Sequence, residues 1–168
     1  MSFFKDFAQY SRELIMPKRR KLTVGEKEMA RQIFMDALDM ENVEVVAHRL
    51  VLKDYAMSPN GRIYFHPKDY VDDFSQQDLS TQSWLIHELA HIWQMQQGVK
   101  VVRKALLDRR YRYVLELGKG FAEYGVEQQA QMIQDYFLRK QRGQDCGLYE
   151  NCIPFLQDRD VNTPTQLT

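Results

Sequence analysis

Residues 84–97 read WLIHELAHIWQMQQ, and this stretch decides both the fold and the chemistry expected of the chain. It contains His87-Glu88-Leu89-Ala90-His91, an HExxH motif. On a helix, residues i and i+4 stand one above the other, so the two imidazoles project from one face about 6 Å apart. That separation suits two nitrogen ligands on one tetrahedral zinc ion. Glu88 lies within reach of a water at such a site without being a ligand, so one helical turn offers two ligands and a general base. Around the motif, Trp84, Leu85, Ile86, Leu89, Ala90, Ile92, Trp93 and Met95 cover nearly every side of the helix. A helix that is apolar all round is buried. Two imidazoles and a carboxylate inside a buried helix are costly unless something satisfies them, and a metal does so.

A third ligand is required. The histidine that some HExxH proteins place six residues beyond the second motif histidine is absent, since Gln94 and Gln97 stand at three and six, and no histidine follows His91. A downstream ligand must therefore be a carboxylate, with Glu116, Glu123, Glu127 and Asp135 as candidates and His66 as the upstream imidazole. Glu127 has the best context. Val126, Ala130, Ile133 and Phe137 recur at helical spacing, Glu127 flanks that stripe, and Ala130 is small enough to let a second helix approach the first.

Working outward, Thr23-Val-Gly-Glu26 fits a capping box, followed by Met29, Ile33, Phe34 and Leu38 at helical spacing. The β-branched run over residues 42–52 reads as a strand, Ser58-Pro59-Asn60-Gly61 as a turn, and residues 62–66 as a second strand. Residues 67–78 read as a loop. Ser80 or Thr81 is expected to cap the motif helix and Gly98 to stop it. The alternation in residues 110–116 predicts a third strand. Further helices are expected over residues 3–15 and 126–140, and the tail from residue 144 is expected to be irregular. The sum is an α+β domain with few strands, one domain over residues 1–168, its core at about 22–140 with an N-terminal helix and a C-terminal tail as extensions.

Composition narrows the function classes. Lys+Arg and Asp+Glu both number 23, so the net charge is zero and nucleic acid is not expected as a partner. No stretch approaches the about 18 apolar residues of a membrane span. Lys5, Asp6, Arg12 and Glu13 interrupt the place where a signal peptide needs its apolar core, so the product is expected to be cytoplasmic as synthesised. Cys146 and Cys152 are spaced to close one small disulfide in an oxidising compartment.

HExxH followed by a helical Glu resembles the gluzincin-type zinc metallopeptidases. More narrowly, IYFHPKDYVDDFS, TQSWLIHELAHIWQMQQG and YRYVLELGKGFAEYGVEQQAQMIQDYF are similar to a small bacterial HExxH domain found with type VI secretion spike (VgrG) and Rhs proteins, some of them toxic effectors. The likeness covers roughly residues 22–140. It implies a zincin-like fold, one zinc ion on His87, His91 and Glu127, and Glu88 as base in hydrolysis of a protein or peptide substrate. It also implies a secretion spike and an immunity protein as partners, with export to a target cell periplasm. Many gluzincins carry an acid four residues after the ligand Glu to orient a histidine, whereas this chain has Gln131, which can still hydrogen-bond, so the surroundings of the ligands are altered without removing a ligand. Tyr111, Tyr113, Tyr124 and His66 are the available oxyanion donors. By analogy with zincin-like folds, the strand over residues 62–66 borders the cleft and pairs with extended substrate. The competing class is a non-catalytic metal-binding accessory or adaptor of the secretion apparatus, which would have no use for Glu88.

Overall fold

The computed structural model describes residues 18–108, 110–116 and 118–157. Three-residue strand β1 (Arg19–Lys21) leads into helix α1 (Val24–Phe34) through the expected capping box. Thr23 Oγ1 accepts from the Glu26 N–H at 3.1 Å, and Glu26 Oε2 accepts from the Thr23 N–H at 2.9 Å. Glu26 is fully buried, and its charge is satisfied by Arg20, which donates to both carboxylate oxygens at 2.7 Å, and by the Phe74 N–H at 2.8 Å. One buried carboxylate thus ties β1, α1 and the approach to the motif helix together. The helix ends at Phe34, so Leu38 packs in the core from beyond it.

Strands β2 (Glu44–Ala47), β3 (Ala56–Met57) and β4 (Arg62–Phe65) complete a four-stranded mixed sheet in the order β1-β2-β4-β3. β2 and β4 are parallel, with Val45 opposite Ile63 and Ala47 opposite Phe65, while β1 and β3 run antiparallel to their neighbours. The expected first strand is shorter than its apolar run, because the chain turns after Ala47. The Ser58–Gly61 turn joins β3 to β4 as a hairpin. This places β3 at the free edge of the sheet, where it covers β4 only at Tyr64 and Phe65.

A 3-10 turn (Phe74–Gln76) precedes the 18-residue helix α2 (Leu79–Gln96). Its cap is Asp78 rather than Ser80 or Thr81: the Asp78 carboxylate accepts from both of their N–H groups, at 2.9 and 3.1 Å. Gly98, at φ 80°, ends the helix as expected. Phe65 joins sheet to helix, with Phe74 at 4.7 Å and Trp84 at 4.9 Å between ring centroids. After α3 (Val101–Leu107) and a second 3-10 turn (Phe121–Glu123), helix α4 (Val126–Gln141) packs along α2 as the most extensive helix pair. Ala130, Ile133 and Phe137 of α4 are fully buried in the core.

Residues 110–116 form no strand. Their backbone is held by side chains instead: Gln128 Nε2 donates to Arg112 O at 2.6 Å, and the Tyr124 hydroxyl donates to Val114 O at 2.9 Å while accepting from the Glu116 N–H at 3.2 Å. The tail is also more ordered than expected, forming α5 (Gly147–Cys152) and α6 (Pro154–Gln157). Ile153, Phe155 and Leu156 enter the core, where Phe155 meets Phe34 at 5.4 Å and Trp93 at 5.0 Å. Cys146 caps α5 and Cys152 ends it, so six helical rises of about 1.5 Å separate them by about 9 Å, beyond the roughly 7 Å limit for a disulfide. Both thiols are free. The expected helix over residues 3–15 and the last tail residues lie outside the described residues. Among the described residues, no helix is long and apolar enough to cross a membrane.

Candidate metal centre

The turn of α2 carrying His87, Glu88 and His91 is buried, and these three side chains are only 7%, 4% and 6% exposed. The two imidazoles stand 4.9 Å apart between ring centroids, nearly perpendicular at 81°. Glu127, in the first turn of α4, meets them across the α2–α4 contact. Its Oε2 lies 3.4 Å from His87 Nε2 and 3.2 Å from His91 Nε2. Among the described residues, His87, His91 and Glu127 are the group of ligating side chains whose donor atoms converge, all within 4.8 Å of one another.

These spacings discriminate between two chemistries. Charge-assisted N–H···O bonds close to about 2.7–2.9 Å. A tetrahedron with bonds of about 2.0–2.1 Å has edges of about 3.3–3.4 Å between ligand atoms. The observed 3.2 and 3.4 Å match tetrahedron edges, and the donor set of two imidazole nitrogens and one carboxylate oxygen is one that zinc takes. The residues present fit the metal.

Electrostatics agree with a cation site. Burial alone would raise the Glu127 carboxyl and lower the His91 imidazole. For Glu127, the two imidazoles facing its carboxylate outweigh burial and hold it down at about 2. For His91, the neighbouring carboxylates of Glu127 and Glu88 outweigh burial and push it above its ordinary value. A pocket that gathers positive charge when metal-free is one built around a buried negative charge.

The other expected residues divide. Glu123 faces away, its Oε2 accepting from the Gly120 N–H at 2.6 Å, and Glu116 pairs with Lys119 at 3.2 Å. Asp135 accepts from the Tyr113 hydroxyl at 2.7 Å and from Gln131 Nε2 at 2.9 Å. His66, at the end of β4, accepts at Nδ1 from the Lys68 N–H at 3.1 Å. Of the four expected oxyanion donors, Tyr111 stands beside the triad, its ring 6.0 Å from that of His87. It also lines a groove of about 860 Å³ with Tyr113, Gln131, Asp135 and Tyr149. Tyr113 and Tyr124 spend their hydroxyl protons on Asp135 and on Val114 O.

Gln131 does not orient a histidine, because its amide is turned to Asp135. That role falls to two glutamines the sequence reading did not single out for it. Gln134 Oε1 lies 3.0 Å from His87 Nδ1, and Gln94 Oε1 lies 2.9 Å from His91 Nδ1. Helical spacing signals both: Gln94 is three residues beyond His91, and Gln134 is two turns beyond Glu127. Ser58, in the β3–β4 turn, is a further residue of the site that no local spacing signals. Its hydroxyl donates to Glu88 Oε2 at 2.7 Å in a buried contact.

No protein-family model matches this chain. The effector domain of Pseudomonas aeruginosa VgrG2b superposes with a TM-score of 0.69 at 35% identity, over 79% of this chain and 80% of that one. The type VI secretion system spike protein VgrG2b of P. aeruginosa is 40% identical over 133 residues, 72% of this chain. The chain spans only 13% of the length of that spike protein.

Proposed function

The chain belongs to the family of the VgrG2b effector domain, and on that premise we propose that it is a zinc-dependent peptidase of zincin-like fold acting as a type VI secretion effector. The observation that carries the reading is the spacing of Glu127 Oε2 from the two Nε2 atoms, 3.4 and 3.2 Å, with the carboxylate of Glu88 buried beside them and outside the ligand set.

His87, His91 and Glu127 would hold zinc, which when bound supplies a Lewis acid for the scissile carbonyl and acidifies water. Glu88 takes the proton of the attacking water and returns it to the leaving amine nitrogen. The serine bond to Oε2 holds the carboxylate in place for both transfers. Tyr111, beside His87 and among the residues lining the groove, donates to the oxygen that gains charge as the amide is attacked. A protein or peptide is the substrate class. A spike component and an immunity protein are the proposed partners, and a target cell the proposed destination.

The test is cleavage of a proteome-derived peptide mixture by the purified chain, read by mass spectrometry. New termini should appear with zinc, vanish with chelator, and return on adding zinc back. Glu88→Gln should keep one zinc per chain and lose at least about a hundredfold in rate. A Glu88→Gln protein that cleaves like the parent overturns the mechanism, and a zinc-loaded parent that cleaves nothing favours the accessory-module alternative.

A further inference from the structure

We infer that a set of neutral glutamine amides, Gln94, Gln129 and Gln134, locks both histidines in the tautomer that directs an Nε2 lone pair at the metal, so that the site is oriented before the metal arrives. The inference rests on the metal reading above and adds positioning residues to it.

The argument runs from backbone carbonyls inward, because a carbonyl can only accept. Gln129 Nε2 lies 3.0 Å from Phe121 O and 2.9 Å from Tyr124 O, which uses both of its N–H bonds and leaves Gln129 Oε1 as an acceptor. Gln94 Nε2 lies 2.9 Å from that Oε1 and 2.9 Å from Val126 O, so its two N–H bonds are used as well. Gln94 Oε1 therefore faces His91 and can only accept, which puts the ring proton on Nδ1 and the lone pair on Nε2. An amide flip would set Gln94 oxygen against two acceptors, so the assignment does not rest on the ring itself.

The second arm is built likewise. Ser83 Oγ donates to Ser80 O at 2.8 Å and so accepts from Gln134 Nε2 at 3.0 Å. Gln134 Oε1 is then the acceptor for His87 Nδ1–H at 3.0 Å. Gln94 does more than orient one ring. Val126 O, which it holds, belongs to the residue before Glu127, so the same amide fixes a histidine on α2 and the backbone that carries the third ligand on α4. Gln94 is 1% exposed, so water does not compete for its bonds to His91, Gln129 and Val126, while the half-buried Gln134 is anchored by Ser83, itself 1% exposed. An amide oxygen orients an imidazole as a carboxylate would, without adding a negative charge beside the metal.

The test uses the full chain labelled with 15N-histidine, metal-free and at alkaline pH, together with zinc titration against a chromophoric chelator. In the parent, His87 and His91 should both show Nδ1–H and bare Nε2. Gln134→Leu should release His87 into mixed tautomers, leave His91 unchanged as the internal report of an intact fold, and weaken zinc binding about ten- to hundredfold. Gln134→Glu restores an acceptor, so it should recover the His87 tautomer and bind zinc at least as tightly as the parent. An unchanged His87 spectrum and zinc affinity in Gln134→Leu overturns the inference, as does weaker zinc binding in Gln134→Glu if the leucine variant does not fold. A parent that shows both fixed tautomers and takes up no zinc defeats the metal reading and leaves the lock standing, so the two failures are distinguishable.

Discussion

The Ser58 hydroxyl donates to Glu88 Oε2 at 2.7 Å across the buried floor of the site, joining the β3–β4 turn to the motif helix. A bond to a carboxylate is worth more than one between neutral groups, and here it engages one of the two oxygens of the proposed base. Ser58→Ala should therefore leave one zinc per chain in place and reduce the turnover number about tenfold, through loss of alignment rather than of ligands. Zinc content by elemental analysis and turnover on a cleavable peptide, measured together, check this. Loss of zinc in Ser58→Ala would show that the serine supports the ligands instead.

The Tyr111 ring lies 6.0 Å from that of His87, and the proposed mechanism makes its hydroxyl the oxyanion donor. Tyr111→Phe keeps the ring against His87 and removes the hydroxyl. Turnover should fall about a hundredfold with KM and zinc affinity within about twofold of the parent, as expected for a donor that acts on the transition state. An equal loss in Tyr113→Phe, whose hydroxyl is committed to Asp135, would remove the distinction.

Much of the site was legible because its signals are local. His87, Glu88 and His91 sit on one helical turn, and Glu127 was singled out by the apolar stripe that brings α4 against α2. The capping box at Thr23 and the Gly98 stop are local in the same sense. What escaped depends on tertiary partners. Residues 110–116 alternate like a strand, yet their backbone groups bond to Gln128 and Tyr124 side chains. Residues 153–156 hide three core side chains behind Pro154, and the Ser58–Glu88 bond spans 30 residues. Strand β3, two residues long, is too short to carry a period.

The pH response of the metal-free protein follows from the signs of two shifts. Glu127 titrates at about 2 when folded, below its ordinary 4.5, so its stabilisation is present above about pH 4.5 and lost as pH falls towards 2. His91 is raised above its ordinary 6.5, so its stabilisation is present below about pH 6.5 and lost as pH rises through the folded value. Thermal unfolding without metal should therefore show the triad contributing most between these limits, and Glu127→Ala should flatten the profile there. Zinc must displace the His91 proton, so its affinity should be at least about tenfold weaker at pH 6 than at pH 8. Competition titrations at the two pH values measure this, and equal affinities would contradict it.

The assignment of Glu127 as third ligand has one close rival in the chain, Glu123, four residues earlier. The two carboxylates do different work. Glu123 Oε2 closes the 3-10 turn on the Gly120 N–H at 2.6 Å and is exposed, whereas Glu127 is buried with Oε2 within 3.4 Å of both Nε2 atoms. Removing Glu127 leaves two neutral imidazoles and no anionic ligand, and a two-histidine site holds zinc weakly. Glu127→Ala should lower zinc affinity at least tenfold and abolish peptide cleavage. Glu127→Gln, which keeps the shape, should still lose most of the affinity, because the charge is what the metal needs. Glu123→Ala should keep full zinc occupancy and lose only part of the turn's capping stability, of the order of 1 kcal/mol. Chelator competition on the three variants decides between the carboxylates. Zinc affinity that follows Glu123 and ignores Glu127 would overturn the ligand set, and with it the reading of the α2–α4 contact as the frame of a metal site.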